Sequence, residues 1–168
     1  MMLGREPKWM PTARRYIGLQ EIVGPKHSSV IVGWLRKLNA WWANDEQPWC
    51  GTFIAAVFNE HQVALPKHWY RARAWLDWGD PIPHPVPGCV VVFERGGGGH
   101  VAFAVGRDTK GRLICLGGNQ GNAVSIAPFT LDRVIGYRWP NEAWAQLDYR
   151  DDGLPLLASN AASSTGEA

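Results

Sequence analysis

The amino-acid sequence predicts an α+β domain with N-terminal helices packed on one face of an antiparallel sheet of about five strands. Apolar residues in the first half recur at steps of three and four, which is the spacing of an amphipathic helix. After Cys89 they form short runs separated by glycine, aspartate and asparagine, which is typical of strands and turns. The 168 residues, 46% of them hydrophobic, suffice for one well-filled core and are too few for two.

The first predicted helix follows the break "GPKHSS", where Ser28 or Ser29 is a candidate N-terminal cap. Its apolar positions are Ile31, Trp34, Leu35, Leu38, Trp41 and Trp42, and it is expected to end near "WWANDEQ". The spacing assigns Trp34, Trp41 and Trp75 to the core.

A second helix is predicted to start around Pro48, because proline is favoured in the first helical turn. The residues spaced along its buried stripe are Cys50, Phe53, Ile54, Val57 and Phe58. A short third helix is predicted within "YRARAWLDWG" and is closed by Gly79. The prolines from Pro81 to Pro87 then predict an extended connection.

The strands are predicted in "CVVVFERG", "HVAFAVGRD", "RLICLGGNQ", "AVSIAPF" and "VIGYRWP", with a hairpin turn at "RDTKGR". A polar segment follows the last predicted strand, and the C-terminal tail (141–168) is expected to be partly disordered. The tail ends in "ASNAASSTGEA", which has almost nothing to bury.

The composition argues against several functional classes. A formal net charge of +2 without a dense lysine and arginine run makes nucleic acid an unexpected partner. The chain has three cysteines, Cys50, Cys89 and Cys115. Because the number is odd and no CxxC spacing occurs, neither a disulfide framework nor a structural zinc site is expected. No secretory signal or long apolar run is present, so we expect synthesis in the cytoplasm and no membrane insertion.

Cys50 is the candidate nucleophile because it stands at the start of a predicted helix. The positive end of the helix dipole and the unpaired backbone N–H groups there lower the pKa of a thiol and favour the thiolate. The alternative is that Cys50 is a small buried hydrophobic residue, which is the commoner role of a single cysteine.

His100 and Asn119 are the candidate partners of this thiol. His100 follows the run "GGGG" and opens a strand, while Asn119 lies just after the next strand in "LGGNQGN". If those two strands pair through "RDTKGR", both residues lie at one edge of the sheet. His100 would then carry the proton, and Asn119 would hold the other ring nitrogen.

The remaining histidines and tryptophans carry weaker signals. His61 and His68 have no HExxH motif or carboxylate partner nearby, so no metal site is predicted. The adjacent Trp41 and Trp42 end the first predicted helix, and they could line a groove instead of the core. Among the ten tryptophans, the candidates for a substrate groove are Trp42, Trp49 and Trp78.

Three blocks of sequence carry a family resemblance: "PWCGTFIAAVF", "PGCVVVFERGGGGHVAFAVG" and "LGGNQGNAVSI…VIGYRWP". They resemble the NlpC/P60 and CHAP superfamily of papain-like cysteine hydrolases, in particular its small phage- and prophage-associated branch. The likeness extends from Ile17 to Pro140, and it implies an N-terminal extension (1–16), a catalytic domain (17–140) and a C-terminal tail (141–168). In one departure, Cys89 stands after Pro-Gly where the family usually has aspartate.

The resemblance implies that Cys50 is the nucleophile, His100 the general base and acid, and Asn119 the residue that orients His100. It also implies an amide bond of peptidoglycan as the substrate and needs no metal or organic cofactor. Gln47, three residues before Cys50, is a candidate side-chain donor to the oxyanion.

The expected partner is bacterial peptidoglycan. We expect a monomer that is made in the cytoplasm and acts on the cell wall after release or delivery. An immunity protein or a delivery protein is a further possible partner. One alternative is a non-catalytic wall-binding or virion structural protein of the same fold. Another is a papain-like hydrolase or acyltransferase that acts on a different amide.

Overall fold

The computed structural model describes residues 6–22, 24, 26–45, 47–141 and 153–158. Its helical elements are α1 (Trp9–Arg15), α2 (Ser29–Lys37), α3 (Cys50–Glu60) and two 3₁₀ helices, Ala72–Asp77 and Leu131–Arg133. Its strands are β1 (Asp80–Pro81), β2 (Val90–Arg95), β3 (Gly98–Arg107), β4 (Leu113–Gly117), β5 (Ser125–Phe129) and β6 (Val134–Trp139).

The strands form one antiparallel sheet in the order β1-β6-β2-β3-β4-β5. The predicted α+β class is therefore confirmed, with six strands instead of about five. The additional strand is β1, a two-residue strand within the proline-rich connection, which pairs with β6. The predicted hairpin between β3 and β4 is present, and Gly111 adopts the positive φ of 78° that its turn requires.

Helix α2 begins where the sequence predicts but ends earlier. The Ser28 side chain accepts a hydrogen bond from the N–H of Ile31, as an N-cap does. The helix stops at Lys37, and Asn39 has a left-handed φ of 58° that ends the helical path. Trp41 thus lies beyond the helix and is 88% exposed, so its prediction as a core residue is wrong.

Helix α3 is the centre of the core. All nine residues from Cys50 to Phe58 are buried, including those outside the predicted apolar stripe. The sheet covers one side of α3, where the Phe103 ring lies 5.5 Å from that of Phe58. A helix buried on all sides must be apolar all round, which explains the run of alanine, valine and phenylalanine.

Helix α1 was not predicted and lies within the stretch assigned to an N-terminal extension. Trp9 and Met10 are fully buried, and the Trp9 ring lies 5.4 Å from that of Phe58 and 5.2 Å from that of Trp139. The helix has only seven residues, too few for its periodicity to be visible in the sequence.

The sheet is strongly curved. Phe93 on β2 and Phe129 on β5 have ring centroids only 4.6 Å apart, although β3 and β4 lie between their strands. In a flat sheet three strand spacings would separate them by about 14 Å. The sheet therefore has a concave face lined by these rings and a convex face that packs on α3.

Residues 153–158 also pack on the sheet. Leu157 donates a backbone hydrogen bond to the carbonyl of Arg107, and its side chain lies against Gly106. The rest of the predicted C-terminal tail falls outside the described residues, apart from Asn141. No helix in the described part of the chain has both the length and the apolarity needed to cross a membrane.

Candidate active site

Cys50 is the first residue of α3 and lines a cavity of about 410 Å³. The residue is only 3% exposed, and its sulfur receives hydrogen bonds from the backbone N–H groups of Gly51 and Val101. Val101 is on β3, next to His100. The start of α3 therefore places the thiol against the strand that carries the predicted base.

The pKa of Cys50 results from opposing effects. Burial raises the pKa, while the hydrogen bonds from Val101 and Gly51 and the positive charge of Arg95 lower it. Burial dominates, so the pKa is above that of an ordinary thiol. The sequence predicts that the helix start lowers this pKa. The pKa is raised instead, because burial destabilises the thiolate more than the N–H groups stabilise it.

The other two cysteines lie away from this cavity. Cys89 and Cys115 are completely buried in the core. Burial raises the pKa of Cys89 to about 12, and burial together with the nearby Cys89 raises the pKa of Cys115 well above its usual value. Neither thiol is suited to be a nucleophile at neutral pH.

His100 is completely buried on the concave face of the sheet, opposite Phe93 in the β2–β3 register. Its ring stacks on Phe129 at 5.4 Å and on Phe93 at 6.0 Å. Its Nε2 lies 2.9 Å from Oε1 of Gln120. The Gln120 amide nitrogen donates to the carbonyl of Ser125 at 2.8 Å, so its oxygen must accept from His100. This network assigns the proton to Nε2 and leaves Nδ1 as the basic nitrogen.

Gln120 is thus an amide bonded to the His100 ring, and it directly follows Asn119, to which the sequence analysis assigned the orienting role. Asn119 is buried in a left-handed turn after β4, with φ 58°, a conformation that asparagine tolerates well. The signal for Gln120 was available, because the "GGNQ" block contains two consecutive amides, but spacing alone cannot decide which one reaches the ring.

The three predicted residues do lie at one end of the sheet. Gly118, next to Asn119, lies so close to Trp49 and Phe53 that an added Cβ would come within 2.6 Å of the Phe53 Cβ. The end of β4 is thus pressed against the start of α3. The Cys50 sulfur accepts hydrogen bonds from the backbone N–H groups of Val101 and Gly51, while Nε2 of His100 is bonded to Gln120. Catalytic hydrogen bonds are often long in ligand-free enzymes and shorten when substrate binds.

The predicted groove residues separate into two groups. Gln47 is exposed and lines the Cys50 cavity, and Trp42 is partly exposed. Trp49 and Trp78 are buried, and their indole N–H groups donate to Glu21 and to the carbonyl of Ala64 at 3.0 Å and 2.7 Å. The prediction of a groove position is therefore wrong for Trp49 and Trp78, whose rings belong to the core.

Arginine side chains that the sequence analysis did not single out line the same cavity: Arg71, Arg73 and Arg95. Arg73 bonds the carbonyl of Gly98 at 3.1 Å and pairs with Glu94 at 3.4 Å. Arg95 is more than twenty residues from the other two in sequence, so only the fold assembles this cationic wall. Within the described residues, no group of three or more histidine, cysteine, aspartate or glutamate side chains could hold a metal ion.

Comparison with protein families supports the resemblance, because the CHAP domain family model matches residues 42–119. This part of the chain is therefore similar to CHAP domains. CHAP domains belong to the NlpC/P60–CHAP superfamily of peptidoglycan hydrolases and are typically cysteine- and histidine-dependent amidases or endopeptidases. The matched segment begins at Trp42 and ends at Asn119, so it contains Cys50 and His100. Searches of curated proteins and of solved structures gave no significant match.

Proposed function

We propose that this protein hydrolyses an amide bond in or next to the stem peptide of peptidoglycan, with Cys50 as the nucleophile. The observation that carries the proposal is the position of Cys50 at a helix start and at a cavity, within a matched CHAP segment. From the sequence resemblance alone, we extend the proposal to a phage-type lysin or an antibacterial wall hydrolase, without assigning the bond or the host.

The reaction starts with proton transfer from the Cys50 thiol to Nδ1 of His100. The thiolate attacks the carbonyl carbon of the amide, and the tetrahedral oxyanion accepts hydrogen bonds from backbone N–H groups at the start of α3. Gln47 at the cavity wall is the candidate side-chain donor to the same oxygen. As the C–N bond breaks, the imidazolium protonates the leaving amine and a thioester remains. Water, deprotonated by His100, then releases the acid and regenerates the thiol.

The geometry requires one change before this reaction can begin. The sulfur bonds the N–H of Val101, while the imidazole bonds Gln120 on the concave face one residue away. Sulfur and ring must therefore come into contact when substrate fills the cavity. The proposed place for this change is the β2–β3 turn, where Gly96 and Gly97 have positive φ and glycine adopts more backbone conformations than other residues.

The test compares wild type with Cys50→Ala on purified peptidoglycan under reducing conditions, with released fragments identified by mass spectrometry. We expect new peptide or muropeptide ends from the wild type and a loss of at least about a thousandfold in Cys50→Ala. His100→Ala should lose activity similarly, whereas the exposed His84→Ala should not. Unimpaired release by a folded Cys50→Ala variant would exclude the mechanism.

A second candidate function is a non-catalytic wall-binding or virion structural protein of the same fold. The observation that favours it is that sulfur and imidazole have separate partners, since Cys50 bonds the N–H groups of Val101 and Gly51 and His100 bonds Gln120. In that case neither wild type nor Cys50→Ala releases fragments, and both sediment with the wall to the same extent.

A further inference from the structure

Four aromatic side chains form a surface cluster beside the Cys50 cavity: Trp41, Trp42, Trp69 and Tyr70, here named the aromatic platform. The Trp42 ring lies 5.9 Å from that of Trp69 at an interplanar angle of 28°, and 5.2 Å from that of Tyr70. Trp41 extends the cluster, with its ring 5.1 Å from that of Trp42. Trp41 and Tyr70 both meet the Trp42 ring edge to face, at interplanar angles of 70° and 77°, so the four rings form one contiguous cluster.

The exposure of this surface is not explained by folding. Trp41 is 88% exposed, the highest value among the large hydrophobic residues that are exposed in the described part of the chain. Single exposed apolar residues are ordinary, but a contiguous patch of large rings marks a binding surface in most soluble proteins. The fold does not require a tryptophan at this position, because α2 has already ended at Lys37.

The aromatic platform continues directly into the Cys50 cavity. The backbone of Trp69 and Tyr70 lies against Gly51, where an added Cβ would be 2.5 Å from the Trp69 carbonyl oxygen. Tyr70 lines the cavity together with Cys50. When a ligand lies on the platform, a group attached to that ligand can therefore reach the Cys50 sulfur.

The chemistry of the platform fits a carbohydrate. Its ring faces are apolar, but polar groups border them, because the Tyr70 hydroxyl lies 3.2 Å from Nδ1 of His68 and the Arg71 guanidinium lies over the Tyr70 ring at 5.7 Å. A sugar ring offers an apolar C–H face for stacking and hydroxyl groups around its edge. Tryptophan and tyrosine combine these two kinds of contact better than other side chains do.

We infer that the aromatic platform binds the glycan strand of the wall by stacking on its sugar rings, and that it thereby positions the attached peptide in the Cys50 cavity. The choice of wall glycan rests on the proposed function. The binding itself does not depend on the cysteine chemistry.

The first experiment measures binding in a Cys50→Ala background, which excludes hydrolysis. Insoluble wall glycan strands freed of their stem peptides are the probe, and bound protein is quantified by co-sedimentation. Trp41→Ala and Trp42→Ala should each weaken binding about tenfold. The control is Leu131→Ala, which removes an exposed apolar side chain outside the platform and should leave binding unchanged. Thermal unfolding of each variant checks that the fold is intact.

The second experiment measures turnover in protein that retains Cys50. Trp42→Ala should raise KM on intact wall about tenfold more than KM on soluble, glycan-free stem peptides. Unaltered glycan binding in both tryptophan variants would overturn the inference, even if the wild type hydrolyses wall. Equal losses on intact wall and on soluble peptides would overturn it too, as would a change of oligomeric state without a change in glycan binding. Tryptophan-dependent glycan binding without any hydrolysis would support the platform and refute the proposed reaction instead.

Discussion

The reactivity of Cys50 depends on burial as much as on its helix-start position. Its sulfur receives two backbone N–H hydrogen bonds and lies near the positive charge of Arg95, yet its pKa remains above the ordinary thiol value because it is almost completely buried. A thiol in this state is largely protonated at neutral pH. It needs a base, or a substrate that rearranges the site, before it attacks.

This state predicts the pH dependence of thiol alkylation. The thiolate reacts with iodoacetamide, so the alkylation rate of Cys50 should rise with pH and reach half its maximum above about 8.5, the usual thiol value. Intact-mass spectrometry should show one adduct, since Cys89 and Cys115 are fully buried with raised pKa values. A midpoint below the usual value, or equal labelling of Cys50→Ala, would contradict the assignment.

The two adjacent amides after β4 predict different effects on catalysis. Gln120→Leu removes the acceptor of the His100 Nε2 proton, so hydrolysis should fall about tenfold or more, and its pH profile should shift. Asn119→Gly retains the left-handed backbone and removes only the side chain, so its loss should be smaller. Wall hydrolysis across a pH series measures both. A larger loss in Asn119→Gly would return the orienting role to Asn119.

At the scale of elements, α3 is held in place by close backbone contact. Gly51 follows Cys50 and leaves no room for a side chain, because Trp69 and Tyr70 pack directly on it. This contact sets the distance between the nucleophile and the aromatic platform.

Two glycine substitutions test this packing. Gly51→Ala should lower the free energy of unfolding by about 1–3 kcal/mol, because its Cβ would collide with backbone atoms that cannot rotate away. Gly33→Ala in α2 is the matched control, since nothing lies within 4 Å of its Cβ position. That variant should be more stable by about 0.5–1 kcal/mol because alanine favours the helix. Urea unfolding measures both, and equal effects would show that the Gly51 contact is not tight.

At the scale of the whole molecule, the curved sheet and its coverings form one core. Trp9 from α1 meets Phe58 from α3 and Trp139 from β6, so elements distant in sequence share a single aromatic cluster. Residues 153–158 add to the edge of this core along β3.

Two truncations test the contribution of that last segment. Ending the chain after Asp152 removes Leu154 and Leu157, which pack against the core, and should reduce the free energy of unfolding by about 2 kcal/mol. Ending it after Ala158 retains both leucines and should have little effect. Chemical denaturation compares the two with the full chain. Equal stability of all three would mean that the packing of Leu157 on Gly106 contributes nothing.

The sequence by itself determined the fold class, five of the six strands, the start of α2 and the CHAP blocks around Cys50 and His100. These features are local, because helical spacing, strand alternation and turn residues act within a few neighbours. The tertiary structure brought Gln120 to His100, decided which tryptophans are buried, and buried Cys50 so that its pKa is raised. It also assembled the cationic wall of the Cys50 cavity and the aromatic platform. Each of these depends on contacts between residues far apart in the chain, which no local pattern specifies.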